Sequence, residues 1–296
     1  MARFGRVVSP MVTPFDEDLR LDLDAAVALA RWLVGEQRND GLVVCGTTGE
    51  SPTLTDPEKL DLVRAVSEAV TVPVVAGTTS NDTANSVELT RQAASCGAAG
   101  VLAVTPYYNR PSQLGLQAHF RAIAASTDLP VMLYDIPFRT GRKIDTAVLL
   151  RLAHDVPNIV AVKDSAGDLA GTAQVISGSG PGFEVYCGDD TVNLPMLALG
   201  AVGLVGVAAQ WAGPLMVELV SAVEAGDLER ARAVNARLLP SYAYESGDDA
   251  PNPLPAKAIL RALGQPVGSC RSPMGPDPDD LDQRARQVLA DLAAAT

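Results

Sequence analysis

Lys163 ends a run, Ile159-Val160-Ala161-Val162, that otherwise suits a buried strand. An ammonium buried in such surroundings is costly. A free ε-amine has a pKa of about 10.4 and is protonated at neutral pH, but desolvation disfavours the charged form. A neutral amine attacks a ketone or aldehyde to give a Schiff base, whose iminium withdraws electrons so that the neighbouring carbon can lose a proton. The other three lysines, Lys59, Lys143 and Lys257, stand in polar or helix-like contexts that suit a solvated ammonium. A second reading keeps Lys163 charged and buried against Asp164, Asp189 or Asp190.

Two further groups could serve such chemistry. Thr47 and Thr48 in "GTTGE" can offer hydroxyls and, beside glycine, backbone N–H groups to a small carboxylate. That suits a 2-oxo acid, although the same hydroxyls could merely finish turns. Tyr134 can accept and return a proton, or it can be a packed ring with one hydrogen bond. Proximity to Lys163 decides its role.

These residues need a scaffold that brings strand ends together. Eight short β-branched runs recur along the chain, "RVVSPMV", "GLVVCGT", "VPVVAGT", "GVLAVTP", "PVMLYDIP", "IVAVKDS", "FEVYCGD" and "GLVGVAA", with helix-period segments such as "DPEKLDLVRAVSEA" between them. Asp56 is a plausible cap of that helix, with proline in its first turn. Strand followed by helix, repeated eight times, predicts an α/β fold, a (β/α)₈ TIM barrel over residues 1–224, and such barrels gather their sites at the C-terminal strand ends. From about residue 225 to 296 three amphipathic helices follow without strands, a C-terminal helical extension. No GxGxxG follows an early strand, which argues against a doubly wound sheet.

Composition narrows the partners. The net charge of −12, with no Lys/Arg cluster, argues against nucleic acid or an anionic membrane as partner and favours small molecules. Cys45, Cys96, Cys187 and Cys270 form no CxxC, and His119 and His154 stand alone, so no metal site is expected. The absence of a signal-like apolar run predicts a reducing, cytoplasmic setting.

In order and spacing, "GTTGES", "TPYYNRPSQ", "LYDIPFRTG", "VKDSAG" and "GDD" resemble the dihydrodipicolinate synthase family over nearly the whole chain. The resemblance implies a metal-free and cofactor-free lyase. Lys163 forms an imine with pyruvate, and the derived enamine attacks L-aspartate 4-semialdehyde to give 4-hydroxy-tetrahydrodipicolinate, in lysine and diaminopimelate biosynthesis. It further implies a proton relay of Tyr134, Thr47 and Tyr108, with Tyr108 supplied by a neighbouring subunit. Thr48 and the backbone at Val205 hold pyruvate on this reading, and Gly188 lies near the second substrate. The expected assembly is a homo-oligomer of at least two chains, a tetramer of paired dimers in the family pattern.

Arg139 chooses among relatives, because a guanidinium in "FRTG" can bind the aldehyde's carboxylate by paired hydrogen bonds. Without it, N-acetylneuraminate lyase or a 2-keto-3-deoxy sugar acid aldolase would use the same imine; a pyruvate-binding sensor without turnover is more remote. One departure concerns regulation. Lysine-inhibited members carry an acidic residue where this chain has Asn85, and histidines found nearby in some are Asp56 and Lys59 here. Weak lysine feedback is therefore expected. Trp211 stands after the eighth run, close to the expected mouth, with no role that the sequence explains.

Overall fold

The computed structural model describes residues 2–294. Eight strands, β1 (Val7–Pro10), β2 (Gly41–Val44), β3 (Val74–Gly77), β4 (Gly100–Val104), β5 (Val131–Asp135), β6 (Ile159–Asp164), β7 (Glu184–Cys187) and β8 (Gly203–Val205), pair in parallel and in chain order into a closed barrel. Each coincides with one of the eight apolar runs. A strand buried on both faces needs little polar alternation, which is why continuous runs rather than alternating ones marked them.

Inward side chains fill the barrel. Val8, Val43, Val75, Leu102, Met132 and Val205 form one buried cluster, and Phe4 packs with them, its N–H donating to the Tyr186 hydroxyl at 3.2 Å. A separate and larger apolar cluster lies between the strands and the surrounding helices.

Several of the helices begin at a side-chain cap. Helix α1 (Leu23–Gly35) starts at Asp22, whose carboxylate accepts from the Ala25 N–H. Helix α2 (Asp56–Ala69) is capped by Thr55 rather than by Asp56: Thr55 and Glu58 exchange side-chain and backbone hydrogen bonds in a capping box, with Pro57 in the first turn. Helices α3 (Thr83–Ala94), α4 (Gln113–Ala124), the short α5 (Pro137–Thr140), α6 (Thr146–Asp155), α7 (Leu169–Gly178), α8 (Asn193–Leu199) and α9 (Gly213–Glu224) complete the ring. Three helices follow: α10 (Leu228–Glu245), α11 (Leu254–Ala262) and α12 (Leu281–Ala294).

Trp211 does not reach the mouth. It is buried, and its indole N–H donates to the Ser241 hydroxyl on α10 at 3.1 Å, so it packs the barrel wall against the C-terminal helices.

Candidate active site

Strands β5 and β6 shift register between Val131 and Met132, after which Tyr134 stands opposite Lys163 and Asp135 opposite Asp164. Side chains alternate along a strand, so Tyr134 and Lys163 share one face and the two aspartates the other. Lys163 is 4% exposed, and its Nζ lies 4.3 Å from the centre of the Tyr134 ring.

Lys59, Lys143 and Lys257 each pair with a carboxylate, but among the described residues no carboxylate pairs with Lys163. The nearby acids are engaged elsewhere. Asp164 accepts from the Thr172 hydroxyl at 2.6 Å and the Ala166 N–H at 2.9 Å. Asp189 accepts from Thr191, and Asp190 from Asn193 and the Ala208 N–H. The alternative of a charged lysine clasped by an aspartate is not the arrangement present.

Gly188 makes room for this lysine. A Cβ there would stand 2.7 Å from Cγ and 2.8 Å from Cε of Lys163. Its N–H donates to the Asp164 carbonyl at 2.8 Å, which ties the "GDD" turn to the end of β6.

A cavity of about 400 Å³ gathers Thr47, Thr48, Tyr134, Arg139, Lys163 and Gly188. A smaller one, of about 230 Å³, shares Thr47, Tyr134 and Arg139 and is also lined by Tyr107. Tyr108 is not brought to either: its backbone is left-handed, φ 72°, and the residue is 91% exposed. Val205 is fully buried at the end of β8, and the cavity wall there is Val207.

The wall contains residues that the sequence reading missed. Glu245, the last residue of α10, and residues 246–248, 251 and 252 between α10 and α11 line the larger cavity. The Asn252 side-chain amide donates to the Thr48 hydroxyl at 3.0 Å, and the Asn252 main-chain carbonyl accepts from the Arg139 guanidinium at 3.2 Å. Those partners lie 204 and 113 positions away along the chain, so no local pattern announced them. Lys257 corrects an expectation directly. It is fully buried, with Nζ 2.8 Å from Glu50 Oε1, and not solvated. Helix periodicity conceals this because nearly every residue of α11 is buried.

Two acids near the strand ends are perturbed. Burial pushes the Asp135 carboxyl up to about 7, against a bond from the Ile144 N–H that opposes the shift. Burial, reinforced by the neighbouring Asp190, raises Glu245 well above the usual carboxylate range. Asp190 packs against Gly206, where a Cβ would stand 3.0 Å from its carboxyl carbon.

The model of the dihydrodipicolinate synthetase family matches residues 3–292. The chain belongs to that family. A 4-hydroxy-tetrahydrodipicolinate synthase of Moorella thermoacetica is 48% identical over 274 residues, 92% of each chain. One from Symbiobacterium thermophilum is 47% identical over 293 residues, covering 98% of this chain and 99% of its own. Among solved structures, a dihydrodipicolinate synthase of Bacillus anthracis superposes with a TM-score of 0.94 at 40% identity, covering 98% of this chain and 99% of its own. The Cyanidioschyzon merolae synthase, solved with lysine bound, gives 0.96 at 40% identity over 99% of both chains. The dihydrodipicolinate synthetase match thus spans barrel and C-terminal helices together.

Proposed function

We propose that the chain condenses pyruvate with L-aspartate 4-semialdehyde through an imine on Lys163, forming 4-hydroxy-tetrahydrodipicolinate for lysine and diaminopimelate biosynthesis. The amine attacks C2 of pyruvate, and loss of water gives the imine. Loss of a methyl proton then gives the enamine, whose carbon bonds to the aldehyde carbon. Attack of the aldehyde's amino nitrogen on the imine carbon closes the ring and releases Lys163. The imine is itself the electron sink, so the scheme contains no step for a metal or organic cofactor.

The observation that carries this reading is Lys163, buried and unpaired by any carboxylate of the described residues, beside the Tyr134 ring. We assign Tyr134 and Thr47 to proton transfer, joined by Tyr108 of a second copy of this chain. Thr48 and the backbone at Val205 receive pyruvate. Arg139 receives the aldehyde's carboxylate, with Gly188 alongside. The exposed Tyr108 supports a homo-oligomer, at least a dimer and in the family pattern a tetramer of paired dimers. Residues 1–224 carry the chemistry and 225–296 form an extension that finishes the mouth. The four cysteines are free and buried, which supports a reducing cytoplasmic setting; no helix among the described residues is long and apolar enough to cross a membrane.

Borohydride treatment with pyruvate followed by intact mass measurement tests the nucleophile. Wild type should gain the mass of pyruvic acid less one oxygen atom, and Lys163→Ala should gain nothing. An adduct of undiminished yield in Lys163→Ala would move the nucleophile elsewhere. Consumption of aspartate semialdehyde in a coupled assay completes the test; cleavage of N-acetylneuraminate or a deoxy sugar acid in its place would overturn the substrate assignment.

A further inference from the structure

Glu50 closes the "GTTGE" loop after β2, and it does so in an uncommon conformation. Its φ is 55°, in the left-handed region, and Cys45 at the loop's other end has φ 56°. Non-glycine residues avoid this region unless their surroundings hold them there. Within the loop, the Glu50 N–H donates to the Thr47 carbonyl at 3.1 Å; from outside it, the Thr13 hydroxyl donates to the Gly49 carbonyl at 2.6 Å.

A further external restraint comes from far along the chain. The Glu50 side chain is 1% exposed and that of Lys257 is 0% exposed, with Nζ 2.8 Å from Oε1 in a contact held by charge more than by hydrogen-bond alignment. The other carboxylate oxygen accepts from the Arg271 N–H at 2.8 Å. Lys257 in turn donates to the Ser269 carbonyl at 2.9 Å and lies 4.2 Å from the centre of the Phe15 ring. Arg271 approaches the same ring and binds Glu58 of α2. Lys257 thus anchors α11, and Asn252, just before that helix, reaches both Thr48 and Arg139. Burial pulls the Lys257 ammonium below its ordinary value while Glu50 opposes the change.

We infer that Glu50 and Lys257 are a positioning pair for the condensation: without touching substrate, they hold the Thr47–Thr48 loop against α11, so that Asn252 orients the Thr48 hydroxyl and the Arg139 guanidinium. The inference rests on the imine reading above. A pair of this kind contributes through the geometry of the pyruvate seat, and breaking it leaves a buried charge without its partner.

The test measures pyruvate KM, borohydride trapping and the thermal midpoint in wild type, Lys257→Met and Glu50→Gln. Both variants should still trap pyruvate on Lys163, with pyruvate KM raised roughly 10- to 100-fold in Lys257→Met, the range for loss of a charged contact. Glu50→Gln keeps the shape and the bond from Arg271 and should fall between. A packing role alone would lower the thermal midpoint and leave KM of the folded molecules at the wild-type value; that result overturns the inference. Should Lys257→Met fail to fold, Glu50→Gln decides, an unchanged KM counting against the pair. A wild type that traps no pyruvate overturns the imine reading and this inference with it, whereas normal trapping with an unchanged KM in Glu50→Gln overturns the inference alone.

Discussion

Side by side at the ends of β5 and β6, Tyr134 and Lys163 occupy one face while Asp135 and Asp164 occupy the other. Lys163 was legible because a charge closing an apolar run has few innocent explanations. Asp135 was not, since one carboxyl after a strand looks like any other until its burial is known. Its pKa rises from an ordinary 3.8 to about 7, so between those values the folded state keeps a proton that the unfolded chain has released. The stabilisation is fully present below pH 3.8 and is lost as pH rises through about 7. Asp135→Asn cannot ionise. Its stability advantage over wild type should therefore grow by about 2–4 kcal/mol between pH 5 and pH 8, read from urea unfolding at each pH. An advantage that stays constant with pH would contradict the burial argument.

At the level of elements, the β-branched runs carried the architecture, because strands buried on both faces must be apolar; the one cap read from the sequence, Asp56, lies a residue past the true cap at Thr55. Asn85 of α3 adds a consequence for regulation. Its side-chain amide donates to Asp56 of α2 at 2.7 Å, and Asp56 also lies 3.5 Å from Lys59. The Asp56 carboxylate is thus already shared between two internal partners, and an incoming lysine would meet an amide at Asn85 and an acid that is already engaged. Initial rates should be unchanged by micromolar lysine; clear inhibition at that concentration would overturn this reading. The segment from 245 to 252 stayed illegible for a different reason. Its contacts with Thr48 and Arg139 are made by chain folding over long separations, and a polar loop between two helices carries no periodic signal of what it faces.

For the molecule as a whole, the proposed site is incomplete in one chain, since Tyr108 points its ring into solvent. Mixing Lys163→Ala with Tyr108→Ala protein, each nearly inactive, should restore about a quarter of wild-type turnover after subunit exchange. A random mixture makes half its dimers mixed, each with one intact site in two. No recovery, with exchange verified by native mass spectrometry, would place Tyr108 outside the relay. The Glu50–Lys257 contact has a consequence in time as well as in space. All eight strands precede residue 206, yet the groups that hold the threonine loop, Asn252, Lys257 and Arg271, come after it. The ribosome releases this latch last, so competence to bind pyruvate well should arrive late in synthesis.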